Sequence, residues 1–295
     1  MTKPPVRDNM PTDRHLRLML ANGMHEAAQQ MLDLNPSLQY KIELKGDTYE
    51  LVDMVTGSAL WLKKFITQDA DCLAMKQDAM KASKQPYEVL IHGETGTGKE
   101  MIARSMIGDR EGLFLSVNCA GLPENLIESE LFGHLAGSFT GATGQRQGMM
   151  AAAKGGVFFL DEVSELPLAV QGKLLRAIQE KKVRMIGDKE EKDITCRFVF
   201  ATNKSLPDMV RAGTFKVDLY ARISTLELFI KPLRERLADV PLIITDLGER
   251  LGIPQTAREF LDKYWGNPSV TPLDMSFNVR SLERALKRLH TWGHV

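Results

Sequence analysis

The sequence offers almost no cysteine chemistry. Its three cysteines, Cys72, Cys119 and Cys196, are odd in number and far apart. They form neither a metal-ligand spacing nor a disulfide framework, which suits a reducing, cytoplasmic setting. An excess of charge of one sign is missing too. Lys plus Arg and Asp plus Glu both number 38, so no global field draws the chain toward nucleic acid or anionic lipid. No apolar run approaches the roughly 20 residues that span a bilayer. The opening MTKPPVRDNMPTDR lacks the apolar stretch of a signal peptide. Internal repeats and low-complexity tracts are also absent. These gaps argue against a membrane protein, a disulfide scaffold and a simple polyanion binder. What is present, 43% hydrophobic and 26% charged residues over 295 positions, is the profile of a folded protein with room for more than one domain.

The chain reads as three parts. Residues 1–65 form a small α+β module. DRHLRLMLANGMHEAAQQMLDL has helical spacing closed by Asn-Pro, and YKIELKGDTYELVDMVTG alternates about a Gly-Asp turn as a hairpin does. No chemical motif lies there. Residues 66–232 open with a helix over about 70–83 and then alternate. The short apolar runs EVLIHG, LFLSVN, GVFFLDE, CRFVFATN and TLELFI are separated by polar, periodic segments. This is the pattern of an α/β fold, a parallel sheet covered by helices on both faces. In residues 233–295 the strands stop. LADVPLIITDLGERLG, TAREFLDKYW and VRSLERALKRLHTW read as three helices, a small helical lid.

GETGTGKE follows the first of these strands and opens a helix, matching G-x-x-x-x-G-K at Gly93, Gly98 and Lys99. Glycines let backbone N–H groups turn toward phosphate oxygens, and the helix N-terminus adds partial positive charge. Lys99 is placed to reach the β- and γ-phosphates of ATP. Glu100 stands where Ser or Thr usually binds Mg²⁺, so the direct hydroxyl ligand is absent, although a carboxylate can act on the metal through water. GGVFFLDE ends in Asp161 and Glu162 at the C-terminal end of a buried strand, where ligands of open α/β sheets collect. One carboxylate there can hold Mg²⁺ while its neighbour polarises a water for in-line attack. Asn203, after FVFAT, can orient that water or sense the γ-phosphate, or it can serve as a turn or cap residue.

FGHLAGSFTGATGQRQG, residues 132–148, surrounds one bare aromatic, Phe139, with glycines and hydroxyl residues. Such a run is a surface loop. Phe139 either tucks back onto the core or is held out for a partner.

Taken together, these motifs resemble the central AAA+ domain of bacterial enhancer-binding proteins, the ATPases that activate sigma-54 RNA polymerase. The resemblance covers about residues 86–252 and, more loosely, 279–289. GETGTGKE looks like that family's Walker A, its Glu included. The resemblance assigns nucleotide contacts to Gly93, Glu94, Thr95, Gly96, Thr97, Gly98, Lys99, Glu100 and Met101. FFLDE resembles its Walker B, with Asp161 on the metal and Glu162 as catalytic base, and ATN its first sensor, Asn203. SVNCAGLPENLIESELFGH is similar to the stretch whose Asn, here Asn118, restrains the catalytic Glu until nucleotide is sensed. GTFKVDLYARI and PLRER resemble the segment that carries the arginine fingers, with Lys216 and Arg222 at the finger positions. If that segment is helical, six residues set the two side chains roughly 120° apart. FNVRSLERAL resembles the lid motif, with Arg280 as second sensor. GSFTGA, comprising Gly137, Ser138, Phe139, Thr140, Gly141 and Ala142, looks like the family's loop that rises with ATP and grips the sigma factor.

The resemblance implies a cytoplasmic ATPase with ATP and Mg²⁺, a homo-oligomeric ring, most simply a hexamer, and sigma-54 RNA polymerase holoenzyme as partner. Four departures stand out. Ser138 replaces Ala, and Lys216 replaces the first of two arginines. PSVTPLDMSF interrupts the lid motif between YWGN and FNVRSLE. No helix-turn-helix follows the lid and the first module does not read as a receiver, so direct DNA binding is left open. Two alternatives remain: an ATPase remodelling a different assembly, and a regulator that binds nucleotide without hydrolysing it.

Overall fold

The computed structural model describes residues 40–45, 48–53, 57–108, 110, 112–120, 123–138, 144–265 and 275–294. The chain divides into two units, residues 1–56 and 57–295. In the first unit, Tyr40–Lys45 and Thr48–Asp53 pair antiparallel, with Tyr40 opposite Asp53 and Lys45 opposite Thr48. This is the hairpin expected from the alternation. The helix expected at 13–34 lies outside the described residues.

The second unit is built on five strands: β1 (Val89–His92), β2 (Phe114–Asn118), β3 (Val157–Asp161), β4 (Arg197–Thr202) and β5 (Leu226–Phe229). They pair in the order β5-β1-β4-β3-β2, every pair parallel. Parallel strands covered on both faces need apolar residues at successive positions, and the short apolar runs of the sequence supply them. Their period of two divides the core. Leu90, Phe158, Leu160, Phe198 and Phe200 face one layer, with helices Glu124–Phe132, Leu168–Glu180 and Val217–Ile223. Val89, Ile91, Phe159, Val199 and Ala201 face the other, with helices Gly57–Lys64, Ala70–Ser83 and Lys99–Ser105. Each fully buried Phe contributes about 1.5–3 kcal/mol of hydrophobic stabilisation.

Helices Val240–Arg250, Pro254–Lys263 and Val279–Trp292 form the lid around a third core. The last helix buries Leu282, Ala285, Leu286 and Leu289, one apolar stripe at helical spacing, and leaves its charged residues outside. Among the described residues no helix is long and apolar enough to cross a membrane.

One local expectation is corrected. Lys216 and Arg222 do not share a helix. Lys216 is the N-cap, with extended φ −74° and ψ 128°, and only Val217–Ile223 is helical. The cause is upstream: the Lys216 amide donates to Gln171 Oε1 at 2.8 Å, which draws the chain onto helix Leu168–Glu180 before it can wind.

Candidate functional site: a phosphate-loop cleft between sheet and lid

The C-terminal ends of β1, β3 and β4 open into a cleft of about 460 Å³, closed on the far side by the lid. The loop after β1 turns through two left-handed glycines, Gly96 at φ 80° and Gly98 at φ 105°. A side chain at Gly96 would meet the Phe277 carbonyl at 2.1 Å, so glycine is required there twice over, for its conformation and for its space. Helix Lys99–Ser105 begins directly after the loop with no side-chain cap, and its Met101 and Ile102 amides turn back to the Gly98 carbonyl at 3.0 and 3.4 Å.

Lys99 is 6% exposed. Its Nζ donates to the carbonyls of Gly93 at 2.9 Å and Glu94 at 3.3 Å, and to Glu162 Oε1 at 3.2 Å. Glu162 adopts a left-handed backbone, φ 53° and ψ 50°, uncommon outside glycine. That turn points its carboxylate back over the sheet, where Oε2 accepts the Asn203 amide at 3.1 Å. Asn203 in turn donates from Nδ2 to Thr95 Oγ1 at 3.3 Å. Loop, acidic strand and FVFATN strand are thereby tied to one another through side chains.

Asp161 accepts the Glu162 amide at 3.0 Å through Oδ1. Burial pushes its pKa up, only partly offset by the Lys99 charge. A half-buried carboxylate at a strand end fits Mg²⁺, which takes one or two protein carboxylates and completes its shell with phosphate and water. Among the described residues no three His, Cys, Asp or Glu side chains converge as a metal cluster. Glu100 lines the cleft, but its carboxylate is occupied by Arg104, at 2.9 and 2.7 Å.

Of the residues singled out in the sequence, Thr95 to Met101, Asn118, Asp161, Glu162, Asn203 and Arg280 line this one cleft. Gly93 and Glu94 stand just behind the loop. Asn118 Oδ1 accepts the Ala120 amide at 2.8 Å, while the Glu162 carboxylate is bonded to Lys99 and the Asn203 amide. Lys216 and Arg222 do not line the cleft of their own chain. Gly137 and Ser138 lie beside a short hairpin, Lys182–Arg184 with Glu191–Asp193. A Cβ on Gly187 of that hairpin would stand 2.9 Å from Ser138 Cβ. Phe139, Thr140, Gly141 and Ala142 lie outside the described residues.

Two contributors were not read from the sequence. Asn278, fully buried at φ 54°, accepts the Leu233 amide at 2.5 Å and donates to Thr95 O at 3.0 Å and Glu94 Oε2 at 3.3 Å. Beside it, the Val279 amide donates to Gly96 O at 3.2 Å. Arg236 is buried against Asp239 at 3.0 Å and reaches Thr97 O at 3.3 Å. Asp239 in turn accepts Thr67 Oγ1 and the Gln68 amide, each at 2.7 Å. The lid thus grips the phosphate loop directly. Both residues lie in stretches the resemblance covers, Arg236 in PLRER and Asn278 in FNVRSLERAL, but neither is given a role there. Phe65, Ile66, Ile243 and Leu247 add an apolar wall to the cleft.

A five-stranded parallel sheet, a glycine loop opening a helix, paired carboxylates at a strand end and a helical lid define a P-loop nucleotide-binding protein of the AAA+ class. Residues 65–229 match the family described as the Sigma-54 interaction domain, more than half of the chain, and the chain belongs to that family. It is 44% identical over 230 residues to the response regulator protein PilR of Pseudomonas aeruginosa, covering 74% of this chain and 50% of PilR. Against the regulatory protein LuxO of Vibrio cholerae it is 42% identical over 234 residues, 76% of this chain and 43% of LuxO. The chain spans about half the length of these relatives or less. The crystal structure of NtrX from Brucella abortus in complex with ADP superposes with TM-score 0.64 over 96% of this chain and 57% of that one, at 21% identity, a likeness of fold.

Proposed function

We propose that this protein hydrolyses ATP with Mg²⁺ and uses the cycle to remodel sigma-54 RNA polymerase, as a cytoplasmic homo-oligomeric ring, most simply a hexamer. The observation that carries the reading is the contact of Lys99 and the Asn203 amide with one buried carboxylate, Glu162, in a cleft that also holds Asp161 and Arg280. Lys99 exchanges its loop carbonyls and Glu162 for the β- and γ-phosphates. The phosphate loop from Gly93 to Met101 supplies backbone N–H groups, and Asp161 would hold the metal, which neutralises charge on the phosphates when bound. Glu162, released from Lys99, accepts the proton of the attacking water. Asn203 and Asn118 position that water and the carboxylate, and Arg280 senses the phosphates from the lid. Lys216 and Arg222 lie away from their own cleft, which supports their acting on a neighbouring subunit. An arginine so placed supplies about 10³–10⁵ in rate.

The target reading rests on family membership and on the GSFTGA segment, with Phe139 and Thr140 as the gripping residues. The experiment is a pull-down with sigma-54 as bait, with and without a nucleotide transition-state analogue. Capture should depend on the analogue and fail for Phe139→Ala while ATP turnover persists. Turnover without any analogue-dependent capture would point to a different assembly as the target. Absence of turnover in the purified protein would leave a nucleotide-binding regulator.

A further inference from the structure

Glu88 is a carboxylate in an unexpected place. It stands immediately before β1, at the sheet edge opposite the phosphate loop, and is 5% exposed. Acidic side chains are seldom buried unless paired, and Glu88 has three cations near it: Lys181, Arg222 and the buried Arg197 of β4. Glu88 favours the charge of Arg197, whose guanidinium donates to the Tyr87, Ser83 and Ala82 carbonyls. The Glu88 Oε1 accepts from Lys181 Nζ at 3.1 Å and lies 3.7 Å from Arg222 Nη2. Lys181 is the left-handed C-cap of helix Leu168–Glu180 and lies over the Phe198 ring at 5.1 Å. Arg222 comes from the last turn of helix Val217–Ile223. One buried acid therefore meets cations from two helices at the foot of β1.

The two contacts differ in kind. Lys181 makes a hydrogen bond. Arg222 is attracted across a longer gap, with no two-pronged fork to the carboxylate. Among the described residues its buried Nε has no hydrogen-bond partner, although a guanidinium carries five donors. The Arg222 head is thus steered by Glu88 at one tip, with its Nε unpartnered among the described residues. Such a group is oriented by its neighbour rather than neutralised by it.

We propose that Glu88 is a positioning residue for Arg222, holding the guanidinium in the orientation from which it reaches the nucleotide of an adjoining subunit. This rests on the reading of Arg222 as a group acting in trans. A long, flexible side chain that is aligned before ATP arrives loses less rotamer freedom when it engages. Glu88 lies at the far edge of the sheet from its own phosphate loop, so its loss should appear in kcat and leave KM for ATP unchanged.

The test is steady-state ATPase kinetics on the full-length assembled protein, with assembly checked by sedimentation. Glu88→Ala should lower kcat by about 10- to 100-fold, the scale of a catalytic group misplaced by about 1 Å, at constant KM. Glu88→Gln keeps an acceptor for Lys181 but loses the charge that steers Arg222, and should fall between. Lys181→Met breaks the same buried hydrogen bond yet leaves Arg222 its acid, so its kcat should stay near the parental value. Glu88→Ala should add nothing in an Arg222→Ala background, because both changes remove one interaction. Equal losses in Lys181→Met and Glu88→Ala would make Glu88 a structural clamp and overturn the proposal, as would additive losses in the double variant. Parental kcat in Glu88→Ala beside an inactive Arg222→Ala would sink the positioning role and leave the finger standing. Full turnover in Arg222→Ala would remove both. Should Glu88→Ala fail to assemble, Glu88→Gln against Lys181→Met decides the matter.

Discussion

Three side chains at the cleft oppose one another in charge. Lys99 lies between the loop carbonyls and Glu162, and Asp161 sits beside them with its pKa raised by burial. A carboxyl whose folded pKa exceeds its unfolded value costs stability as pH rises from the unfolded value to the folded one, and the cost persists above that window. Asp161→Asn removes the charge at nearly constant shape. Its thermal midpoint should therefore equal or exceed the parental one at neutral pH, with the difference shrinking as pH falls through the carboxylate range. The same variant should lose Mg²⁺-dependent ATP turnover. A fall in thermal midpoint at neutral pH, followed by scanning calorimetry, would show that the Asp161 charge is stabilising and the burial argument wrong. Glu162→Gln tests the neighbouring carboxylate. It should still bind ATP, since Lys99 remains free to meet the phosphates, but should stop turnover because an amide cannot take the proton of the attacking water. Parental hydrolysis in that variant would place the base elsewhere. Lys99→Ala should abolish ATP binding in calorimetry, because the phosphate charge loses its partner.

At the scale of elements, the lid and the phosphate loop behave as one piece. Asn278 satisfies the Leu233 amide and donates to the Thr95 carbonyl from a left-handed backbone position, and Gly96 leaves no room beneath Phe277. Asn278→Ala would orphan the buried Leu233 amide, at about 1–3 kcal/mol, and release the part-buried Thr95 carbonyl. The expected result is a lower thermal midpoint together with weaker ATP binding. Weaker stability with unaltered ATP affinity would detach the lid from nucleotide recognition. The sequence showed most of this architecture. All five strands were legible because buried parallel strands must be continuously apolar, and Ala70–Ser83 was legible because Asp69 caps it, accepting the Cys72 amide at 3.0 Å. The cleft residues Lys99, Asp161, Glu162 and Asn203 were legible because phosphate chemistry narrows the choice of residue at strand ends. Asn278 and Arg236 were not, because their work is to satisfy backbone groups that become neighbours only after folding. Lys216 was misread as helical because spacing alone does not reveal that Gln171 takes its amide first.

At the scale of the whole molecule, the cleft is lined by Lys99, Asp161, Glu162 and Arg280 but not by Arg222 of the same chain. Asp161, Glu162 and Lys99 gather at the C-terminal edge of the sheet, whereas Arg222 sits at the opposite edge beside Glu88. Under the proposed function, Arg222 of a neighbouring copy adds its charge to those of Lys99 and Arg280, which already line the cleft. Arg222→Ala should lose most turnover. Lys216→Ala should lose less, because a lysine offers a point charge without the planar fork of arginine, and because the Lys216 amide, not its side chain, holds the segment to Gln171. The neighbour requirement has a sharper consequence. Arg222→Ala protein retains Glu162, and Glu162→Gln protein retains Arg222. Each alone should be nearly inactive. When the two are mixed and allowed to exchange subunits, every junction at which the intact Glu162 of one meets the intact Arg222 of the other is a complete site. Turnover should reappear and should peak near equal proportions, where such junctions are most frequent. The measurement is phosphate release across a titration of one variant into the other, with mixed assemblies verified by affinity-tag capture. A flat, inactive titration in demonstrably mixed assemblies would mean that Arg222 does not act across the subunit boundary.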